Sequence, residues 1–312
     1  MSRLDTRPAA APADWTHTLQ SDYIALTTHS LGHRAMPREV LYFVSGALLV
    51  LLPLIVLLAL KKLDFFEPRA HDTIHYGNAG ERALKLHIFY ASDSAAPAPA
   101  LLLFHGGGWR YGQAQQFFPQ CEFFAQRGIT CVSAEYRLGP QHAPDIRGAI
   151  NDAGAALDYL HEHAADLGID SHRLFAGGGS AGGHLAAALG AGMHGKSRRR
   201  PAALALYNPV VDLSPCTPSH HLTAKQWREV SPLHNVDARF PPTLILSGEL
   251  DSEVTPAMVN AFCAAVQAEG GQCQVALYAG LGHGFFNPRE DGNPAFAQTS
   301  ARVADFISAH SE

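Results

Sequence analysis

The sequence lacks the positive charge that nucleic-acid binding requires. Its 312 residues contain 23 Lys and Arg and 28 Asp and Glu, which gives a formal net charge of −5 at pH 7. Proteins that bind nucleic acid usually carry a basic patch, so we expect no nucleic-acid partner. Apolar residues make up 47% of the chain, which is enough for one large packed domain or two small ones.

Cysteine is also scarce, and the histidines show no metal-binding spacing. Five cysteines are an odd number, so the sequence predicts no complete disulfide framework. Cys263 falls in a predicted helix over residues 256–269, and Cys273 begins the next predicted strand. A glycine pair between them could bring the two together as a disulfide, and two buried thiols are the alternative. Because His161 and His163 lie two residues apart on a predicted helix, they point to different faces, and we expect no metal site there. We expect no organic cofactor either.

Long hydrophobic runs are absent apart from one near the start. Residues 40–60 form a stretch of 21 residues without a charged side chain, and this length lets a helix cross the roughly 30 Å core of a bilayer. We predict an uncleaved single-pass transmembrane helix here, after a polar and poorly ordered tail over residues 1–39. The alternatives are a buried core helix and a cleavable signal peptide, the latter if translation begins at Met36 rather than Met1. Basic residues flank both ends, so the positive-inside rule predicts no orientation.

From about residue 67 onward, predicted strands alternate with predicted helices. This alternation predicts an α/β domain over residues 67–312, with a mostly parallel sheet covered by helices on both faces. Residues 209–240 are expected to form a long loop. Ligands of such sheets bind outside the carboxyl ends of the strands, and the motifs described next fall at predicted strand ends.

The most informative motif is a G-x-S-x-G pattern centred on Ser180. Residues 178–182 read GGSAG, after the apolar run LFA and a further glycine, and before a stretch of small, helix-forming residues. A serine on such a strand-to-helix turn holds its Oγ exposed, where it can attack a carbonyl carbon. His184 lies four residues later on the same predicted helix. It cannot easily reach back to this Oγ, so we expect it to be a packing residue.

A serine nucleophile needs a base, and the base needs a third group that holds it in the correct tautomer. The chain order that usually accompanies this motif is serine, acid and histidine. Asp251 follows the predicted strand TLILSG, and His283 follows the predicted strand QVALY. We therefore predict a triad of Ser180, Asp251 and His283, in which Glu249 and Glu253 are the competing acids.

The sequence FHGGGW, after another predicted strand, offers the remaining part of such a site. Attack on an ester carbonyl creates an oxyanion that needs preorganised N–H donors, and glycines can turn their N–H groups towards a ligand without steric cost. We predict an oxyanion hole formed by Gly107, Gly108 and Ala181. Trp109 either walls the acyl side of the pocket or packs in the core.

These motifs together resemble those of a known family. FHGGGW, EYRL, GGGSAGGHLAA, LILSGELD and GHGFF are similar to the motifs of α/β-hydrolase esterases of the hormone-sensitive-lipase and acetyl-esterase type. Bacterial relatives of the bipartite feruloyl/acetyl-xylan esterases show the same likeness. The resemblance spans roughly residues 84–309. It implies the α/β-hydrolase fold and a serine carboxylic-ester hydrolase, with the triad and oxyanion hole predicted above.

The chain departs from the lipase relatives in two places. They usually carry an acidic residue before the serine, where this chain has Gly179, and there is no room for their N-terminal helical cap between residues 62 and 84. Both departures favour the acetyl-esterase branch and short-chain esters, including those of carbohydrates. Many members of that branch are exported and resemble this chain around Cys263 and Cys273. The resemblance therefore favours an extracytoplasmic catalytic domain, and the disulfide and the two thiols remain equal alternatives.

Three other functions are compatible with the same motifs. An arylformamidase and a serine aminopeptidase share this geometry, and the fold also occurs as an inactive binding module tethered to a membrane. The sequence predicts no oligomeric state.

Overall fold

One mixed sheet organises residues 67–312. Its strands, in chain order, are β1 (Asp72–Ala79), β2 (Arg82–Phe89), β3 (Ala98–Phe104), β4 (Thr130–Ala134), β5 (Ile169–Gly179), β6 (Leu204–Tyr207), β7 (Thr243–Gly248) and β8 (Cys273–Tyr278). Their spatial order is β1-β2-β4-β3-β5-β6-β7-β8. Strand β2 is antiparallel to β1 and β4, and the other neighbouring pairs are parallel. The predicted mostly parallel sheet is confirmed.

The structure is a computed structural model. It describes residues 51, 53, 68–92, 97–139, 144–195, 197–214, 223–289 and 292–311. The chain divides into two compact units, residues 1–66 and 67–312, and the elements named here belong to the second.

Helices cover both faces of the sheet, as predicted. They are α1 (Phe118–Ala125), α2 (Ile146–Glu162), α3 (Ala181–Gly190), α4 (Ala224–Val230), α5 (Pro256–Ala268) and α6 (Pro294–Ala309). Buried side chains of α2, α3 and α5 pack on one face, and those of α1 and α6 pack on the other. The middle strands are therefore buried on both sides and read as continuous apolar runs, such as Leu101–Leu103 in β3.

The expectation of a long loop over residues 209–240 was wrong in part. The described portion of this segment contains α4, followed by a short 3₁₀ turn at Pro232–His234. A capping box starts the helix, because Thr223 Oγ1 accepts a hydrogen bond from Gln226 N (3.3 Å) and Gln226 Oε1 accepts one from Thr223 N (2.9 Å). A threonine followed three residues later by glutamine is a helix-start signal in the sequence itself.

Two disulfides join helices to the strands that follow them. Cys263–Cys273 links α5 to β8, which decides between the two alternatives left open above. Cys121–Cys131 links α1 to β4 and was not predicted. Both bridges close a helix–turn–strand segment with a sequence separation of 10. That shared spacing is a signal by which the second bridge could have been found.

The predicted transmembrane helix lies almost entirely outside the described residues. Of residues 40–60, the structure describes Leu51 and Pro53, both as helical. Within the described part of the chain, no helix combines the length and the apolar character needed to cross a membrane.

Candidate active site

The predicted site residues gather at the carboxyl edge of the sheet. Ser180 stands between β5 and α3, Asp251 follows β7, His283 follows β8, and the glycine loop at residues 106–108 follows β3. Because parallel strands end at the same edge, side chains that are far apart in sequence meet there.

Ser180 lies on a sharp turn with an unusual backbone conformation. Its φ and ψ angles are 53° and −114°, and a non-glycine residue holds a positive φ only where its surroundings fix it. The Ser180 N–H donates to Tyr207 O (2.9 Å), and the Ser180 carbonyl accepts from His184 N (3.0 Å) and Val210 N (3.2 Å). These contacts, on both sides of the residue, hold the turn in place.

Strand β3 approaches the Ser180 turn so closely that the turn needs small residues on both sides of the serine. A Cβ atom at Gly182 would overlap the carbonyl oxygen of Phe104, and one at Gly178 would lie 2.5 Å from the same oxygen. Neither position has room for a side chain. The glycines of the motif therefore let the end of β3, and the loop that follows it, lie against the serine turn.

His283 is held by Asp251. His283 Nδ1 donates a hydrogen bond to Asp251 Oδ2 over 2.8 Å, and the Asp251 side chain is 0% exposed. The other carboxylate oxygen of Asp251 accepts from Glu253 N (2.9 Å) and Val254 N (2.8 Å). With its carboxylate fixed in this way, Asp251 sets the Nδ1–H tautomer and leaves Nε2 to act as an acceptor.

The two competing acids lie elsewhere. Glu249 Oε2 accepts from Gly280 N at 3.2 Å. Glu253 is 71% exposed, and its Oε2 lies 3.8 Å from His283 Nε2, on the side of the ring opposite Asp251. The geometry therefore favours Asp251 over both as the partner of Nδ1.

Ser180 and His283 line one pocket of about 490 Å³, a volume within the range of small-molecule sites. The predicted oxyanion residues Gly107 and Gly108 line the same pocket. Ala181 is buried and is the first residue of α3, so its N–H has no acceptor within the helix.

The glycine loop is a tight turn that requires glycine at position 107. Gly107 and Gly108 have φ angles of 118° and 59°, and a Cβ atom at Gly107 would overlap the carbonyl oxygen of Tyr111. The Gly107 carbonyl accepts from Arg110 N (3.1 Å) and Tyr111 N (3.2 Å). Gln116 Oε1 accepts from Gly106 N (2.6 Å) at the start of the turn, a contact that the sequence did not reveal.

A buried histidine anchors this loop from below. His105 Nδ1 donates to Gly106 O (2.7 Å), and the Tyr136 ring stacks on the imidazole with centroids 4.4 Å apart. Burial lowers the pKa of His105 to about 4, so the ring is neutral at neutral pH. The Tyr136 hydroxyl donates to His105 O (2.9 Å), and the EYRL motif thereby supports the loop.

Trp109 packs in the core and also borders the pocket. Its side chain is 2% exposed, it lines the pocket, and it meets the His184 ring edge-on with centroids 5.0 Å apart. His184 is fully buried, and its Nε2 donates to Val230 O (2.7 Å). This contact directs His184 into the packing around α3, as expected.

The chain is similar in sequence to known carboxylic ester hydrolases. The α/β hydrolase fold family matches residues 101–230. The chain is 28% identical over 258 residues to the carboxylic ester hydrolase LipN of Mycobacterium tuberculosis, covering 73% of this chain and 67% of LipN. It is 30% identical over 220 residues to an ethyl acetate hydrolase of Pseudomonas putida, covering 62% and 68%. It spans only about half of two further mycobacterial relatives, 53% and 52%.

Solved structures extend the likeness to three dimensions. Esterase 2 of Thermogutta terrifontis with bound propionate superposes with a TM-score of 0.69 at 33% identity, covering 77% of this chain and 94% of the esterase. The chain belongs to the α/β-hydrolase carboxylesterases. Its predicted place in the acetyl-esterase and hormone-sensitive-lipase-like group is confirmed.

One departure of this carboxylesterase from its lipase relatives has a structural cause. The Phe286 ring lies over Gly179, so that a Cβ atom at 179 would come within 2.6 Å of Phe286 Cζ. Phe286 is itself packed between Phe117 and Tyr207, with ring centroids 5.8 Å and 4.7 Å away. An acidic side chain before Ser180 therefore has no space here.

We expect Gly179→Ala to lower kcat/KM by about tenfold and the free energy of unfolding by about 1–3 kcal/mol, because the added methyl overpacks the ring. Phe286→Leu should restore much of this loss in the double variant, measured with p-nitrophenyl acetate and urea unfolding.

The control is Gly77→Ala, since nothing lies within 4 Å of a Cβ atom at that position. Strict additivity of the two changes at 179 and 286 would mean that the ring does not set the residue before the serine.

Proposed function

We propose that this carboxylesterase hydrolyses carboxylic esters through an acyl-enzyme formed on Ser180, with His283 as base and Asp251 as the group that orients it. The hydrogen bond from His283 Nδ1 to Asp251 Oδ2, at 2.8 Å, in a pocket that Ser180 also lines, is the observation that carries the proposal.

The reaction takes two steps. Ser180 Oγ attacks the ester carbonyl while His283 Nε2 accepts its proton, and the resulting imidazolium is stabilised by Asp251. The N–H groups of Gly107, Gly108 and Ala181 stabilise the oxyanion, each worth roughly 10²–10³ in rate by analogy with other oxyanion holes. His283 then gives its proton to the departing alcohol, and water hydrolyses the acyl-enzyme by the same route. This chemistry calls for no metal or organic cofactor.

We infer a preference for short acyl groups. The buried aromatic side chains of Trp109 and Phe286 close off part of the pocket beside Ser180, which limits the space for a long chain. The similar esterase 2 of Thermogutta terrifontis has been solved with propionate and with butyrate, and the Pseudomonas relative is an ethyl acetate hydrolase. Acetyl-type esters of small or carbohydrate alcohols fit these observations.

Ser180→Ala should abolish turnover of p-nitrophenyl acetate, to the level of the uncatalysed reaction. The same variant should lose covalent labelling by a fluorophosphonate probe, followed by mass spectrometry, because the probe reacts with an activated serine. Ser308→Ala, at an exposed position of α6, is the control and should label normally. Full activity in Ser180→Ala would remove Ser180 from the mechanism, and absence of labelling in the wild type would indicate an inactive binding module.

A series of p-nitrophenyl esters tests the acyl preference. We expect kcat/KM to be highest for acetate or propionate and to fall at least tenfold by octanoate, because each methylene that the pocket cannot hold loses its binding energy. Phe286→Leu should move the optimum towards longer chains. An unchanged optimum would exclude Phe286 as the wall, and faster turnover of a matched formamide or anilide would favour an arylformamidase or an aminopeptidase.

We further propose that residues 40–60 anchor the protein in a membrane, with the catalytic domain on the extracytoplasmic side. The uncharged run of 21 residues supports the anchor. The two disulfides support the location, because such bridges persist in oxidising compartments.

Fractionation of cells that express the full chain tests the anchor. The wild type should stay with the membranes after a high-salt wash, and Val50→Lys/Leu52→Lys should lower this fraction several-fold, since charges at the centre of a span cost roughly 2.5–3.5 kcal/mol each. Proteolysis of intact spheroplasts should degrade the domain if it is extracytoplasmic. Complete protection would place it on the other side.

A further inference from the structure

Asn208 is a buried residue that the mechanism above does not use. It follows β6 directly, is 0% exposed and has a φ angle of 35°. Its own N–H donates to Leu246 O over 2.7 Å, which ties it to the neighbouring strand β7. Because the backbone of Asn208 is fixed at the carboxyl edge of the sheet, its side chain can contact the loops there.

The Asn208 amide bridges two consecutive residues of the histidine loop. Its Oδ1 accepts from Gly284 N over 3.2 Å, and its Nδ2 lies 3.4 Å from His283 Nε2. Because the Gly284 N–H can only donate, the amide oxygen belongs on that side. The amide N–H group therefore faces His283 Nε2.

The two contacts of the imidazole are consistent with a single tautomer. Nδ1 donates to Asp251, so Nε2 carries the lone pair and can accept from Asn208. We propose that Asn208 is a positioning residue: its N–H group holds the lone pair of Nε2 towards the pocket before the reaction, and its oxygen fixes the histidine loop through Gly284. The Ser180 hydroxyl then displaces this 3.4 Å contact when it gives its proton to Nε2. This inference rests on the proposed role of His283 as the base.

The neighbouring charges show why such a residue matters. Asp251 at Nδ1 and Glu253 Oε2 at 3.8 Å from Nε2 are both carboxylates, and each favours the charged imidazolium. Arg110, which lines the same pocket, acts in the opposite sense. Asn208 presents a donor directly to Nε2 in this structure, and a protonated Nε2 would face that donor.

The variant Asn208→Asp separates positioning from support of the loop. It keeps an oxygen for Gly284 N and replaces the donor to Nε2 with an acceptor. We expect the acid limb of the kcat/KM profile for p-nitrophenyl acetate to move up by about one pH unit, which gives about tenfold lower activity on that limb. Activity near pH 9 should stay within about twofold of the wild type.

Asn208→Gly is the second variant, because glycine accepts the positive φ without strain and lacks the amide altogether. It should move the acid limb in the same direction and also lower the plateau, since the Gly284 contact is lost. Glu253→Gln is the control and should move the limb to lower pH. Thermal melts recorded over the same pH range report whether each variant is folded.

An unchanged acid limb in both Asn208 variants, with the fold intact, would overturn the inference and assign Asn208 to structural support alone. The proposed function fails separately, through retained activity of Ser180→Ala. A dead Ser180→Ala variant together with unshifted Asn208 variants would therefore count against Asn208 and leave the esterase mechanism standing.

Discussion

The close approach of the Phe104 carbonyl to the serine turn is the constraint on which the rest of the site depends. Strand β3 ends so near this turn that Gly178 and Gly182 cannot carry a side chain. The same approach places the glycine loop after β3 beside Ser180, so Gly107, Gly108 and the proposed nucleophile share one pocket. A larger residue at either glycine would separate the two parts of the site before it affected the chemistry of either one.

Supports behind the pocket keep this arrangement rigid. The glycine loop rests on His105 and Tyr136, and Arg137, next in the chain, is fixed to Asp152 of α2 by hydrogen bonds of 2.7 and 2.8 Å. These contacts give the loop a rigidity that its glycines cannot provide. Because preorganised donors need no rearrangement during the reaction, a flexible sequence motif on a rigid base suits an oxyanion hole.

The sequence predicted the parts of the site that are local and missed those that bridge distant segments. Ser180, Asp251 and His283 stand next to predicted strands, so their common location follows from the rule that ligands bind at the carboxyl ends of strands. The contact between Asn208 and Gly284 spans 76 residues, and no local pattern encodes it. The α4 capping box and the Cys121–Cys131 bridge could have been predicted from the sequence. Their local signals are a Thr-x-x-Gln helix start and a repeated cysteine spacing.

The relation between Gly179 and Phe286 shows how a local sequence difference can depend on a distant residue. From the sequence, Gly179 is only the absence of an acidic residue. In the structure that space is occupied by Phe286, whose ring packs against Phe117 and Tyr207. Phe286 stands three residues after His283, so the loop that carries the proposed base also forms part of the pocket beside Ser180. An acidic residue at 179 would therefore require a smaller residue at 286, so the residue before the serine depends on a side chain more than a hundred positions away.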